Sequence, residues 1–193
     1  MAGELWLIRH GETAWSLSGA HTGRTDLPLT AEGDRKAVAL RAKLAGHRFA
    51  LVLTSPLERA RRTCELAGFG AAAQIEPNLS EWNYGAYEGR TTDDIQRERP
   101  GWSLFRDGVP NGETIEQVAV RARAVIVRAL DAADRSLDGD VALFAHGHIL
   151  RILAACWLEM APDAARFFFL GTAGISTLGH EHDIRVIVRW NLQ

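Results

Sequence analysis

Leu5-Trp6-Leu7-Ile8-Arg9-His10-Gly11-Glu12-Thr13 sets the frame for the whole chain. Four apolar residues in a row are too few for a helix and too uniform for a half-exposed strand. They read as a strand buried on both faces, which stops where the polar run begins. The same pattern returns twice. The apolar run 51–53 leads into Thr54-Ser55-Pro56, and the run 141–144 leads into Ala145-His146-Gly147.

Helical periodicity fills the space between these runs. Thr30 offers an N-cap, with Glu32 in the first turn, Ala37, Leu40 and Leu44 at helical spacing, and Gly46 as a stop. Ser55 followed by Pro56 predicts a second N-cap, opening a helix over 57–66 that ends near Gly68. A short third strand is expected at 74–76. Residues 78–112, rich in Gly, Trp and charge, are expected to form an excursion with a short helix over 92–99, ended by Pro100. Ile115, Val118, Ala119, Ala122, Val125, Ile126 and Leu130 form the apolar stripe of a long amphipathic helix. Another helix follows His146, with Ile149, Ile152, Leu153 and Cys156 inward. Residues 174–190 predict a hairpin, with strands at 175–178 and 184–188 and a turn at 180–183.

Strands alternating with helices predict an α/β fold: three layers, α/β/α, with a mostly parallel sheet and an antiparallel edge hairpin near the C-terminus. One domain over 1–193 is expected, with the excursion covering the strand ends. In such sheets ligands bind beyond the carboxyl ends of the strands. Three polar motifs fall at that place: after Ile8, after Leu53 and after Phe144.

Composition narrows the function. The 193 residues are 47% hydrophobic and 24% charged, ordinary for a globular protein. A net charge of -2 supplies no global field toward nucleic acid or an anionic membrane, so any preference for phosphate must come from a local cation cluster. Cys64 and Cys156 have no short spacing, which fits a reduced, cytoplasmic setting better than a disulfide framework. The start lacks a basic n-region and a long apolar h-region, which argues against a signal peptide. No apolar run reaches the roughly 18 residues of a membrane span. Neither a nucleotide P-loop nor a dinucleotide fingerprint is present.

The strand ends supply Arg9 and His10, then Arg59, then His146, with Glu81 arriving from the excursion. Two arginines and two histidines in one pocket need an anion to offset their charge. Arginine gives planar, bidentate recognition of phosphoryl oxygens, and the helix start after His146 adds amides. A neutral histidine can attack phosphorus through a ring nitrogen. A carboxylate such as Glu81, beside Trp82 and Tyr84, can protonate a leaving alcohol and then activate water. Arginines can stabilise the moving phosphoryl group without a metal. Arg61 and Arg62 read as a solvated face.

Arg-His-Gly-Glu-Thr at 9–13, Thr22-Gly23, TSPLERARRT at 54–63, EWNYGAYEG at 81–89, NGET at 111–114 and AHGHILR at 145–151 resemble the histidine phosphatase superfamily, also called phosphoglycerate-mutase-like. The resemblance runs from the first strand to the C-terminal hairpin. It implies that His10 is the phosphorylated residue, that Arg9, Arg59 and His146 form the phosphate pocket, and that Glu81 is the proton donor. Thr22 and Gly23 match a loop that contacts phosphate, and Gly147 would offer an amide. Ser16 stands where many members carry Asn. Tyr84 and His148 join the expected substrate contacts, His148 with helix capping as its alternative. Cofactor-dependent mutases resemble the chain at Glu81 but usually follow it with Arg, where this chain has Trp82, and carry a longer basic insertion. WSLSGAHTGRTDLPLT, EWNYGAYEG, FRDGVPNGET and FAHGHILR resemble instead the sedoheptulose-bisphosphatase-like and broad acid-phosphatase branch.

The expected activity is therefore a phosphomonoesterase acting on small phosphorylated metabolites, sugar phosphates among them. A phosphoglycerate mutase and a non-catalytic phospho-ligand module are the rivals. No cofactor and no metal are expected. The expected partner is a small phosphate ester, with the oligomeric state left open, a dimer included. Among Arg90, Arg97, Arg99 and Arg106, Arg106 is the first candidate to hold a second phosphate. His180-Glu181-His182-Asp183 reads as a solvated turn rather than a metal cluster, and Trp102 and Phe105 as packing of the excursion.

Overall fold

The computed structural model describes residues 3–136 and 139–193. Six strands form one sheet in the order β3-β2-β4-β1-β5-β6. They are β1 (Leu5–Arg9), β2 (Leu51–Thr54), β3 (Ala73–Ile75), β4 (Val141–Ala145), β5 (Ile175–Glu181) and β6 (Ile184–Leu192). β3, β2, β4 and β1 run parallel; β5 is antiparallel to β1, and β6 to β5.

The uniform apolarity of β1 follows from its two packed faces. Leu5 and Leu7 enter one core cluster, shared with Val118, Val125, Ile149 and Leu153. Trp6 and Ile8 enter the other, shared with Leu40, Leu44 and Cys64. The first layer is made by α6 (Ile115–Asp134) and α7 (Gly147–Trp157), the second by α2 (Ala31–Lys43) and α3 (Glu58–Leu66). Both cysteines are free and buried, one in each cluster. Burial pushes the Cys64 thiol up to about 12.

Most expected elements form, with local differences. Thr30 caps α2 by accepting the Gly33 amide at 3.0 Å, as expected. Residue 57, not Ser55, caps α3, and it does so without a side-chain bond; the Ser55 hydroxyl accepts the Leu57 amide at 3.3 Å and lies 2.7 Å from His146 Nε2. β3 starts one residue earlier than expected. Three short helices complete the set: α1 (Ala14–Ser18), α4 (Thr92–Glu98), close to the expected 92–99, and α5 (Leu104–Asp107). The hairpin turn narrows to His182 and Asp183. His180 lies in β5 with its ring 5.1 Å from that of Trp157, so it is not part of a solvated turn. Among the described residues no helix is long and apolar enough to cross a membrane.

Candidate active site

The carboxyl ends of β1, β4 and β2 lie side by side, and backbone bonds stitch them together. The His10 amide donates to the Ala145 carbonyl, and the Ser55 amide to the Phe144 carbonyl, each at 2.9 Å. His10, His146 and Ser55 are thereby held at one edge of the sheet, and the two imidazole centroids stand 5.1 Å apart.

His10 is only 5% exposed. Its Nδ1 lies 2.6 Å from the Gly11 carbonyl oxygen. A carbonyl only accepts, so Nδ1 carries the proton and Nε2 keeps its lone pair. Burial first, then the Arg9 and Arg59 guanidiniums, hold the imidazole well below the ordinary histidine range, against the opposing pull of the Gly11 carbonyl. The neutral ring is the form that can attack.

The cations surround it. Arg9 donates from Nη1 to the Leu170 carbonyl at 2.6 Å, while its Nε is buried without a partner. Buried donors are nearly always matched in native proteins, so this N–H is available to an acceptor. Arg59 lies in the first turn of α3 and is fully buried. Four of its N–H groups are engaged, one each with Thr25 O and His146 Nδ1 and two from Nη2 with Thr22 O and Gly23 O. His146 Nδ1 accepts from Arg59, so Nε2 holds the ring proton and donates to the Ser55 hydroxyl. Burial, followed by Arg59, keeps His146 neutral.

Glu81 closes the site from the excursion. Its Oε1 accepts from the amides of Trp82 and Ile149, each at 2.9 Å, and its Oε2 from the amide of His148 at 3.0 Å. The carboxylate thus caps the first turn of α7. The excursion is clamped to α6 by an Arg121–Glu113 bidentate pair and by Arg121 bonds to the Asn78 and Ser80 carbonyls. Trp82 is fully buried and donates to the Glu113 carbonyl at 2.8 Å.

Residues 5–193 match the histidine phosphatase superfamily, branch 1. The chain belongs to that superfamily. It is 37% identical over 184 residues to an acid phosphatase of Mycobacterium tuberculosis, covering 94% of this chain and 88% of the relative. A sedoheptulose 1,7-bisphosphatase of Saccharomyces cerevisiae is 35% identical over 182 residues, covering 80% and 67%. A Cronobacter sakazakii protein named probable phosphoglycerate mutase GpmB is 32% identical over 197 residues, covering 97% and 89%. The solved structure of the Mycobacterium tuberculosis open reading frame Rv3214 superposes with a TM-score of 0.92 at 34% identity, covering 100% of this chain and 99% of that one.

Within this histidine phosphatase, Arg9, His10, Arg59, Glu81 and His146 come together as the sequence suggested. Gly147 opens α7 against the Arg9 guanidinium; a Cβ there would stand 3.3 Å from Arg9 Cζ. The Tyr84 hydroxyl lies 2.6 Å from His148 Nδ1, and the His148 ring is 3.9 Å from Glu81. The Thr22 and Gly23 carbonyls are taken by Arg59, and the Gly23 amide donates to Glu88 at 2.8 Å. A Cβ at residue 23 would lie 2.5 Å from the Trp82 carbonyl oxygen, so only glycine fits. Ser16 completes the capping box of α1 with Thr13 and, with Arg9 and Phe169, lines a cavity of about 420 Å³.

Arg106 is exposed and bonds its neighbour Asp107 and the Gly101 carbonyl. Arg90, Arg97 and Arg99 are likewise engaged within the excursion, by Glu98, Asp94 and the Tyr87 hydroxyl. Three site residues escaped the sequence reading. Ser55 had been assigned to a helix cap. Glu88, which accepts from the Gly23 and Thr25 amides, sat unmarked in EWNYGAYEG. His21 is buried against Tyr84, its Nε2 lacks a partner, and burial pushes its pKa down to about 4. Only its place one residue before Thr22-Gly23 could have signalled it.

Proposed function

We propose that the protein hydrolyses small phosphate monoesters through a phosphohistidine at His10, without a metal. The reading rests on the His10 ring: one nitrogen is tied to Gly11, and the other is left as a neutral nucleophile among buried arginines. Arg9 Nε and the Gly147 amide, the first of α7 and not taken by Glu81, receive the phosphoryl oxygens. Arg59, held by His146 and the loop carbonyls, supplies fixed positive charge that needs no rearrangement during reaction.

In the first step the Nε2 lone pair forms a bond to phosphorus as the ester P–O bond breaks, and Glu81 protonates the departing alcohol oxygen. In the second, water attacks the phosphohistidine, the N–P bond breaks, and Glu81 takes the water proton. A carboxylate offers about four acceptor positions. Amides use both on Oε1 and one on Oε2, so Oε2 is the oxygen that carries the proton.

A mutase reading is favoured by the kinship with proteins named phosphoglycerate mutases. It predicts interconversion of 2- and 3-phosphoglycerate dependent on a bisphosphoglycerate primer. The buried tryptophan at position 82 supports hydrolysis instead, because no cation follows the acid. Two free, buried cysteines support a cytoplasmic setting. Turnover of an aryl phosphate in the presence of a chelator tests the main reading. His10→Ala is expected to lower the rate by at least about a thousandfold; equal rates would overturn it.

A further inference from the structure

Gly23, Arg24, Ser80, Glu81, Glu113 and Arg121 are among the residues that border a cavity of about 370 Å³. Glu81, the proposed acid, belongs to its wall. The leaving alcohol oxygen must come within hydrogen-bond reach of that carboxylate, which makes the cavity beside Glu81 the candidate space for the body of the alcohol.

The charges lining the cavity are unequal. Arg121 is neutralised by a bidentate Glu113 and spends further donors on the Asn78 and Ser80 carbonyls. Arg24 makes no ion pair and no side-chain hydrogen bond among the described residues. Two acids of this loop region are otherwise occupied: Asp26 accepts the Glu58 amide at 2.8 Å, and Glu88 accepts the Gly23 and Thr25 amides. All four excursion arginines, by contrast, have partners within the excursion. The backbone beneath Arg24 is firmly set, because Thr22 O, Gly23 O and Thr25 O all accept from the buried Arg59. An unpaired guanidinium on a rigid loop, at the wall of the leaving-group cavity, is suited to bidentate capture of an anion.

Resting on the phosphatase reading, we infer that Arg24 is a specificity-determining residue, selecting phosphate esters whose alcohol portion carries a second anionic group. The shared chemistry is the anion; a carboxylate and a second phosphate are its two sources.

Steady-state rates on three esters test this. 3-Phosphoglycerate carries the carboxylate, fructose 1,6-bisphosphate carries the second phosphate, and p-nitrophenyl phosphate has an uncharged leaving group. The readout is the ratio of kcat/KM for each anionic ester to that for the aryl ester. Arg24→Ala is expected to lower the ratio for at least one anionic ester by about tenfold, through KM. Arg24→Glu lowers it further, and Arg24→Lys keeps most of it. Raised salt shrinks the wild-type ratio, since the guanidinium is exposed. Ratios unchanged in both Arg24→Ala and Arg24→Glu would overturn the assignment while leaving the phosphatase reading intact, and so would an equal fall for all three esters. If wild type hydrolyses none of them, the phosphatase reading fails and the assignment falls with it.

Discussion

The His10 ring shows how one backbone contact sets a reaction. The Gly11 carbonyl selects the tautomer, and burial with two arginines keeps the other nitrogen unprotonated. Glu81 is fixed as firmly, by three amides, and only Oε2 has room for a proton. Glu81→Gln is therefore expected to slow alkyl phosphates by about 10²–10⁴-fold and aryl phosphates much less, because a phenolate leaves without an acid. Comparing kcat/KM on the two ester types checks this; equal losses would argue against the acid role. Ser55 acts through His146. Ser55→Ala leaves a buried imidazole N–H without an acceptor, which costs about 1–3 kcal/mol of stability in urea denaturation. An unchanged midpoint would mean that the pair contributes nothing.

At the scale of elements, the strands were the most legible features. β4, and β1 as far as Ile8, are apolar without a break because helices cover both their faces, and that uniformity shows in a one-dimensional pattern. The convergence of Arg9, His10, Arg59 and His146 followed from the strand ends alone; Glu81 could be named but not placed. α1 and α5, of five and four residues, are too short to show helical periodicity. The Ser55 hydroxyl is shared at the start of α3: it accepts the Leu57 amide at 3.3 Å, ahead of the helix, and also meets the tertiary partner His146 at 2.7 Å. Arg106, by contrast, is partnered by the adjacent residue, Asp107. The excursion depends on Glu113, which holds Arg121, the Asn83 amide and, through its carbonyl, Trp82. Glu113→Ala leaves a largely buried guanidinium unpaired. It is expected to destabilise the fold by about 3 kcal/mol and to raise hydrogen exchange selectively over 77–113. Uniform exchange across the chain would contradict the clamp.

The whole molecule carries the electrostatic consequence. His10, His21, His146 and His148 all have folded-state pKa values lowered chiefly by burial. Their unfolded pKa lies near 6.5, so below that pH the unfolded chain binds more protons than the folded one. Stability is complete above about pH 6.5 and is lost as pH falls toward the folded values, by up to about 1.4 kcal/mol per pH unit for each histidine. Denaturant midpoints are expected to hold from pH 7.5 to about 6.5 and to fall from there to pH 5; a profile flat over the whole range would show these rings to be solvated. Catalysis is expected to persist below pH 6.5, where a solvated histidine would already be charged, because His10 stays neutral there.

All of this turns on a covalent bond to His10. Rapid acid-free quenching during turnover of a radiolabelled phosphate ester, followed by peptide mapping, measures it directly. Label is expected on the peptide containing His10, stable in alkali, labile in acid and absent from His10→Ala. Label on another residue, or turnover by wild type with no phosphoenzyme formed at a rate competent for kcat, would contradict it.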